Sequence, residues 1–189
     1  DWHCGLMPVY ARASRNRAAP STIITIHNIA YQGIFPKGAV ENIPLPKSKF
    51  ASRTQNCGQL NFLQAAISFA DMVTTVSPTY AREIQHKERG CGLDKILRER
   101  QIHGILNGID EDVWNPEVDR KIFARYDRIT LERKELNKKT LLNSIGFKSN
   151  TPRVLFGVIS RLTQDKGMDM LVAAMPQAIR HGSSFAILG

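Results

Sequence analysis

Cysteine is scarce in this chain of 189 residues, and its three thiols, Cys4, Cys57 and Cys91, are odd in number and far apart. No C-x-x-C pair occurs, so neither a disulfide framework nor a zinc site is supported, and a reducing compartment is the expected setting. We read the thiols as buried or incidental. Long apolar runs are missing too. None approaches the roughly 18 residues that a membrane helix needs, and no basic-then-apolar leader opens the chain. Acidic residues are the minority, 17 against 26 Lys and Arg, which leaves a net charge of +9 and favours an anionic partner. The densest basic runs, at 11–17 and 133–139, read as solvated helix faces and ends. Aromatic residues are not interleaved with basic ones in the way that single-strand binders use, so no nucleic-acid partner is expected. There is no internal repeat, no Gly-rich Walker loop and no dinucleotide fingerprint, which leaves a P-loop ATPase or a dehydrogenase unsupported.

What is present is 42% hydrophobic residues, enough to bury a core, arranged in alternating strand and helix patterns. A helix is expected from Asp1 through residue 14, capped by Asp1 and kinked by Pro8. Residues 21–26 ("STIITI") read as a buried strand, 28–59 as a long functional loop or flap, and 60–70 as a helix. A short strand follows at 71–76. Ser77 then caps a helix that has Pro78 in its first position. Another helix ("GLDKILRER") and a strand at 102–106 precede a turn-rich stretch at 107–119 and a charged helix at about 129–145. A strong strand at 153–159, a helix that continues despite Pro176, and a last strand ("SFAIL") close the order. Such alternation predicts parallel β–α units with helices on both faces. The expected domains are 1–106, a linker and first helix at 107–150, and a second domain beginning at 151–189. A start at Asp1 and an end at Gly189, directly after an apolar run, lead us to expect a piece of a longer chain.

Ligands of open α/β sheets bind beyond the carboxyl ends of strands, and two places qualify. At the first, the β-branched run Ile23–Ile26 ends in His27 and Asn28, followed by an aromatic loop with Gly33 and Pro36. At the second, "RVLFGVI" is followed by "SRLTQDKG", which puts Arg161 at the strand exit and Lys166 where the next helix begins. A helix start with a guanidinium and an ammonium beside it suits a diphosphate. Asp110 and Asp112 form a D-x-D pair, which elsewhere can hold a metal under a nucleotide sugar. Here it follows a turn, and a capping role fits better. His3, His27, His86, His103 and His181 show no paired ligand spacing, so no metal site is expected.

Taken together, "DWHCGLMPVY", "TIHNIAYQGIFP", "ADMVTTVSPTYAREI", "ILNGIDEDVWNPEVD" and "SRLTQDKGMDMLVAAMP", in this order, resemble the central part of ADP-glucose-dependent bacterial glycogen synthases and plant starch synthases. The resemblance implies an α/β fold of the GT-B glycosyltransferase type, two Rossmann-like domains facing across a cleft, both incomplete here. It implies retaining transfer of glucose from ADP-glucose to the non-reducing end of an α-1,4-glucan. His27 would be the catalytic histidine near the donor glucose, its preceding backbone carbonyl facing the sugar, and Asp1 would line the same site. Asn28, Arg161, Lys166 and Gly189 would bind substrate, with Arg161 and Lys166 neutralising the ADP diphosphate. No cofactor or metal is implied, because fixed cations supply the charge that a metal supplies elsewhere. The implied partners are ADP-glucose and glycogen or starch, with no nucleic acid and no membrane. The implied location is cytoplasmic in a bacterium and plastidial in a plant or alga. The family's Lys-x-Gly-Gly-Leu loop and its glutamate-bearing Glu-Pro-Cys-Gly-Leu-like segment fall outside these residues, so turnover by the chain in isolation is not expected. Two other readings compete: another retaining nucleotide-sugar transferase of the same architecture, and a non-catalytic glucan- or nucleic-acid-binding module supported only by the positive charge.

Overall fold

The computed structural model describes residues 1–14, 20–36, 38, 43, 55–56, 59–147 and 154–189. Cys57, the basic run beyond residue 14, most of the expected 28–59 loop, and residues 148–153 at the expected linker end and strand start lie outside them. The chain divides into two compact units, Asp1–Gly108 and Ile109–Gly189.

In the first unit a 3-10 turn, Trp2–Cys4, precedes α1, Met7–Ala13. The single helix expected from Asp1 is therefore broken in two. Pro8 does not kink it but stands in the first turn of α1, where backbone N–H groups have no helical acceptor and a missing one costs nothing. Asp1 makes no side-chain capping bond. There follow β1 (Ile23–Ile26), β2 (Ile34–Pro36), β3 (Gln55–Asn56), β4 (Gln59–Asn61), α2 (Phe62–Phe69), β5 (Met72–Thr75), α3 (Pro78–Glu83), α4 (Asp94–Arg98) and β6 (Ile102–Gly104).

Strands β1, β5 and β6 form a parallel sheet with β5 in the middle. This is the parallel β–α alternation that the sequence predicts. Strands β2, β4 and β3 form a small antiparallel sheet inside the stretch expected to be loop. Pro36, which has no N–H to donate, sits on β2 at the edge of that sheet.

The core lies between the parallel sheet and α2. Ile24 and Ile26 of β1 and Val73 of β5 meet Leu63, Ala66 and Ile67, which share one face of α2 by their i, i+3, i+4 spacing. Ile84, Leu93 and Leu97 close the same cluster. Each fully buried Leu or Ile contributes about 1.5–3 kcal/mol relative to leaving it in water. Ile23 is 62% exposed, so β1 is buried on one face rather than on both.

Caps fix where the helices start. The Asn61 side chain accepts the Gln64 N–H at 2.9 Å, and the Ser77 hydroxyl accepts the Tyr80 N–H at 3.2 Å, with Pro78 in the first turn as expected. A Cβ on Gly104 would fall onto the backbone of Ser77 and Pro78, so glycine lets β6 lie against the start of α3. At the amino ends of the strands, Arg12 donates to the Phe69 carbonyl at 2.8 Å and to Asp71 at 2.9 Å. The other Asp71 oxygen accepts the Thr22 N–H at 2.7 Å and the Thr22 hydroxyl at 2.9 Å. Those Thr22 bonds, and then the Arg12 charge, hold the Asp71 carboxyl below the usual carboxylate range.

The second unit opens with turns. Asp110 accepts the N–H groups of Asp112 at 3.1 Å and Val113 at 3.0 Å, the capping role expected of it. A 3-10 turn, Leu131–Arg133, leads into α5, Lys134–Ser144, and Asn137 clasps both backbone groups of Ala124. Strand β7, Val154–Ile159, pairs in parallel with β8, Ser183–Leu188, and Phe156 stacks on Phe185 at 5.1 Å between ring centres. Between these strands lie a 3-10 turn, Gln164–Lys166, and α6, Met168–Arg180, which runs through Pro176. Among the described residues of this unit only Ala124 and Leu142 are buried apolar side chains.

Candidate functional site

The first group of candidate residues sits at the carboxyl end of β1. Two threonine hydroxyls fasten that end to the neighbouring strand. Thr25 and Thr74 share a hydrogen bond of 2.8 Å between their side chains, and the Thr75 hydroxyl donates to the Ile26 carbonyl at 2.6 Å. The carbonyl before His27, which the resemblance turns toward a sugar, therefore already has a buried donor.

Asp1 joins this strand end directly. Its backbone nitrogen donates to the Thr25 carbonyl and its carboxylate accepts the His27 N–H, both at 2.8 Å. An aromatic cluster anchors the segment that carries it. Trp2 packs against Phe35 and Phe62, with ring centres 5.8 and 6.3 Å away, and its indole lies over Gly33. Gly33 has φ of 62°, so a side chain there would meet both backbone strain and the indole.

Beyond His27 the chain turns at once. The Asn28 side chain accepts the Ala30 N–H at 2.9 Å, and the Tyr80 hydroxyl accepts the Ile29 N–H at 2.9 Å. Ile29 is itself buried in the core. Gln32 donates to the Cys91 carbonyl at 2.8 Å and the Ile29 carbonyl at 3.2 Å, and accepts the Asn61 amide at 2.6 Å. Both Gln32 and Asn61 are buried, so this network holds the turn from within. The His27 imidazole is exposed, and among the described residues none bonds to it. The loop is thus held by groups other than the imidazole.

The second group lies at the carboxyl end of β7. Arg161 and Lys166 stand on either side of a carboxylate that the sequence reading overlooked. The Arg161 guanidinium is 3.6 Å and the Lys166 ammonium 4.0 Å from Asp165 Oδ2. The Thr163 hydroxyl donates to the other oxygen, Asp165 Oδ1. That bond first, then the charges of Arg161 and Lys166, hold the Asp165 carboxyl below the usual range. Residues 161–163 are not helical, so the four-residue spacing from Arg161 to Asp165 carried no helix-face signal for this contact.

Lys166 does not stand at the start of α6 but at the end of the 3-10 turn. Gly167, at φ of 70°, separates the two, and no side chain caps α6. Gly189 follows β8, and a Cβ there would run into the side chain of Leu162. The structure thus gathers Asp1, His27 and Asn28 in one unit, and Arg161, Lys166 and Gly189 in the other. Cys4 and Cys91 are free and exposed rather than buried. No group of three or more His, Cys, Asp or Glu among the described residues could hold a metal ion. No described helix is long and apolar enough to cross a membrane.

A family model described as the starch synthase catalytic domain matches residues 1–99. The chain belongs to the starch synthase catalytic domain family. It is 44% identical over 194 residues to a glycogen synthase of Albidiferax ferrireducens, and the match takes in 100% of this chain and 39% of that protein. It is 45% identical over 192 residues to a glycogen synthase of Rhodopseudomonas palustris, again over 100% of this chain and 39% of that one. The chain therefore spans about 39% of the length of these curated relatives. Among solved structures, it is similar to the catalytic domain of starch synthase IV from Arabidopsis thaliana bound to ADP and acarbose. The TM-score is 0.86 at 30% identity, over 100% of this chain and 41% of that one. The α/β class with parallel sheets read from the sequence is thus the GT-B class of this family, present here in part.

Proposed function

We propose that this chain carries part of the active site of a glucan synthase that transfers glucose from ADP-glucose to the non-reducing end of an α-1,4-glucan, with retention at the anomeric carbon. The observation that carries this reading is the match, along the whole chain, to a starch synthase catalytic domain bound to ADP and acarbose. The local chemistry supports it. Arg161, just past β7, and Lys166, at the end of the following 3-10 turn, converge on Asp165 ahead of a helix start that no side chain caps, which suits a diphosphate.

As the glucosyl–phosphate bond breaks, negative charge grows on the leaving ADP and positive character on the sugar. Arg161 and Lys166 stabilise the first, and His27 faces the second from the rigid end of β1. Asp1 holds the His27 backbone, and Asn28 shapes the turn beside it. Two permanent charges at the diphosphate make a divalent metal unnecessary. The bacterial glycogen synthases among the relatives favour glycogen as the product and a cytoplasmic site of action.

The test is glucose transfer from labelled ADP-glucose to glycogen by a full-length protein that contains this chain. Incorporation with retained configuration is expected. Transfer from a different nucleotide sugar but not from ADP-glucose would instead favour another retaining transferase of this fold.

A further inference from the structure

The contact between Asp165 and the two cations has a consequence that rests on the diphosphate reading of Arg161 and Lys166. We propose that Asp165 is an affinity-tuning residue, an internal counter-ion that competes with the diphosphate for both cations and weakens the grip on the nucleotide. The geometry fits a displaceable partner rather than a permanent one. The separations of 3.6 and 4.0 Å are ion-pair distances, longer than charge-assisted hydrogen bonds. All three side chains are about half exposed, so a ligand can reach the cations without opening the fold. Asp165 is held in place independently of them, by the Thr163 hydroxyl on its other oxygen. It therefore stays beside the site when the cations turn toward a ligand.

In the free protein, Arg161 and Lys166 are partly neutralised by this one carboxylate. An arriving diphosphate takes over the cations and leaves the carboxylate facing a like charge. Both effects oppose binding, and removing the carboxylate's charge removes both. Because exposed pairs are individually weak, the expected gain is moderate, about three- to tenfold in affinity.

The experiment is calorimetric titration of ADP into the full-length protein and four variants. Asp165→Asn is expected to bind ADP about three- to tenfold more tightly. Asp165→Glu, which keeps the charge, is expected to bind close to the parent. Asp165→Ser serves as a second neutral variant and should follow Asp165→Asn. Arg161→Ala is expected to bind more weakly. Equal or weaker ADP binding by both neutral variants, with Arg161→Ala still weakened, would overturn the role of Asp165 and leave the diphosphate reading standing. Unchanged binding in Arg161→Ala would overturn the diphosphate reading, and the role of Asp165 with it.

Discussion

The Asp1 carboxylate accepts the backbone N–H of His27 at 2.8 Å, one residue past the end of β1. The bond fixes the His27 backbone and leaves its imidazole out of the fastening. The turn behind it is held instead by Ile29, Tyr80 and the Gln32–Asn61 pair.

Catalysis and stability should therefore separate at this position. His27→Ala in the full-length protein is expected to lower kcat on the order of a hundredfold, as loss of one transition-state contact does. Its melting temperature should stay near the parent value, since exposed positions without partners usually change stability by less than about 0.5 kcal/mol. Measuring kcat beside a melting curve decides it. A large fall in melting temperature with near-normal turnover per folded molecule would refute the sugar-facing role.

Arg161→Ala and Lys166→Ala should each remove most turnover with ADP-glucose, about 3 kcal/mol of transition-state stabilisation apiece. Lys166→Arg should rescue poorly, because a planar fork does not replace a point charge. Activity should survive EDTA. Steady-state rates check all three, and parent-like rates in both alanine variants would sink the diphosphate assignment.

Asn61 does two jobs, capping α2 and donating to the buried Gln32 oxygen. Asn61→Ala loses a cap worth about 1 kcal/mol and leaves a buried acceptor unpaired at about 1–3 kcal/mol. Asn61→Asp keeps the cap but sets two acceptors face to face, so it should not restore stability. Denaturant unfolding of both variants measures this. Full recovery in Asn61→Asp would mean that only the cap matters.

The Asp71 carboxyl is held low by Thr22 and Arg12, so its bonds add stability that is fully present above the unfolded value of about 4. That contribution fades as pH falls through the lowered folded value. Asp71→Asn should therefore melt below the parent at neutral pH, and the gap should narrow in acid. Melting temperatures at pH 7 and near pH 3 test it; a gap of the same size at both would show that the charge plays no part.

Much of the first unit could be read from the sequence because its signals are local. The β-branched runs of β1 and β5, the Ser77–Pro78 cap and the spaced apolar face of α2 each need only neighbouring residues. The antiparallel sheet of β2, β4 and β3 was missed because strands of two or three residues carry no periodicity and exist only through their partners. The break between Trp2–Cys4 and α1 was missed because Pro8 reads as a kink unless a helix start at Met7 is known. His27, Asn28 and Arg161 stood out as residues at strand ends, and Lys166 as a cation near the start of the next helix. Asp165 did not, since a carboxylate beside a lysine looks like ordinary surface until the chain's turn brings it under Arg161.

The hydroxyls that join β1 to β5 have an effect on the address of His27. A parallel pair with one buried face tolerates a slip of two residues, because Ile24 and Ile26 would still point inward. Such a slip would carry the strand end about 7 Å along its axis. Thr25 on Thr74 and Thr75 on the Ile26 carbonyl break that degeneracy, since only one alignment satisfies both. Thr74 and Thr75 therefore work as a vernier on the histidine one residue past the strand. Valine at both positions would keep the shape and the apolar face, yet remove the two bonds that mark this alignment.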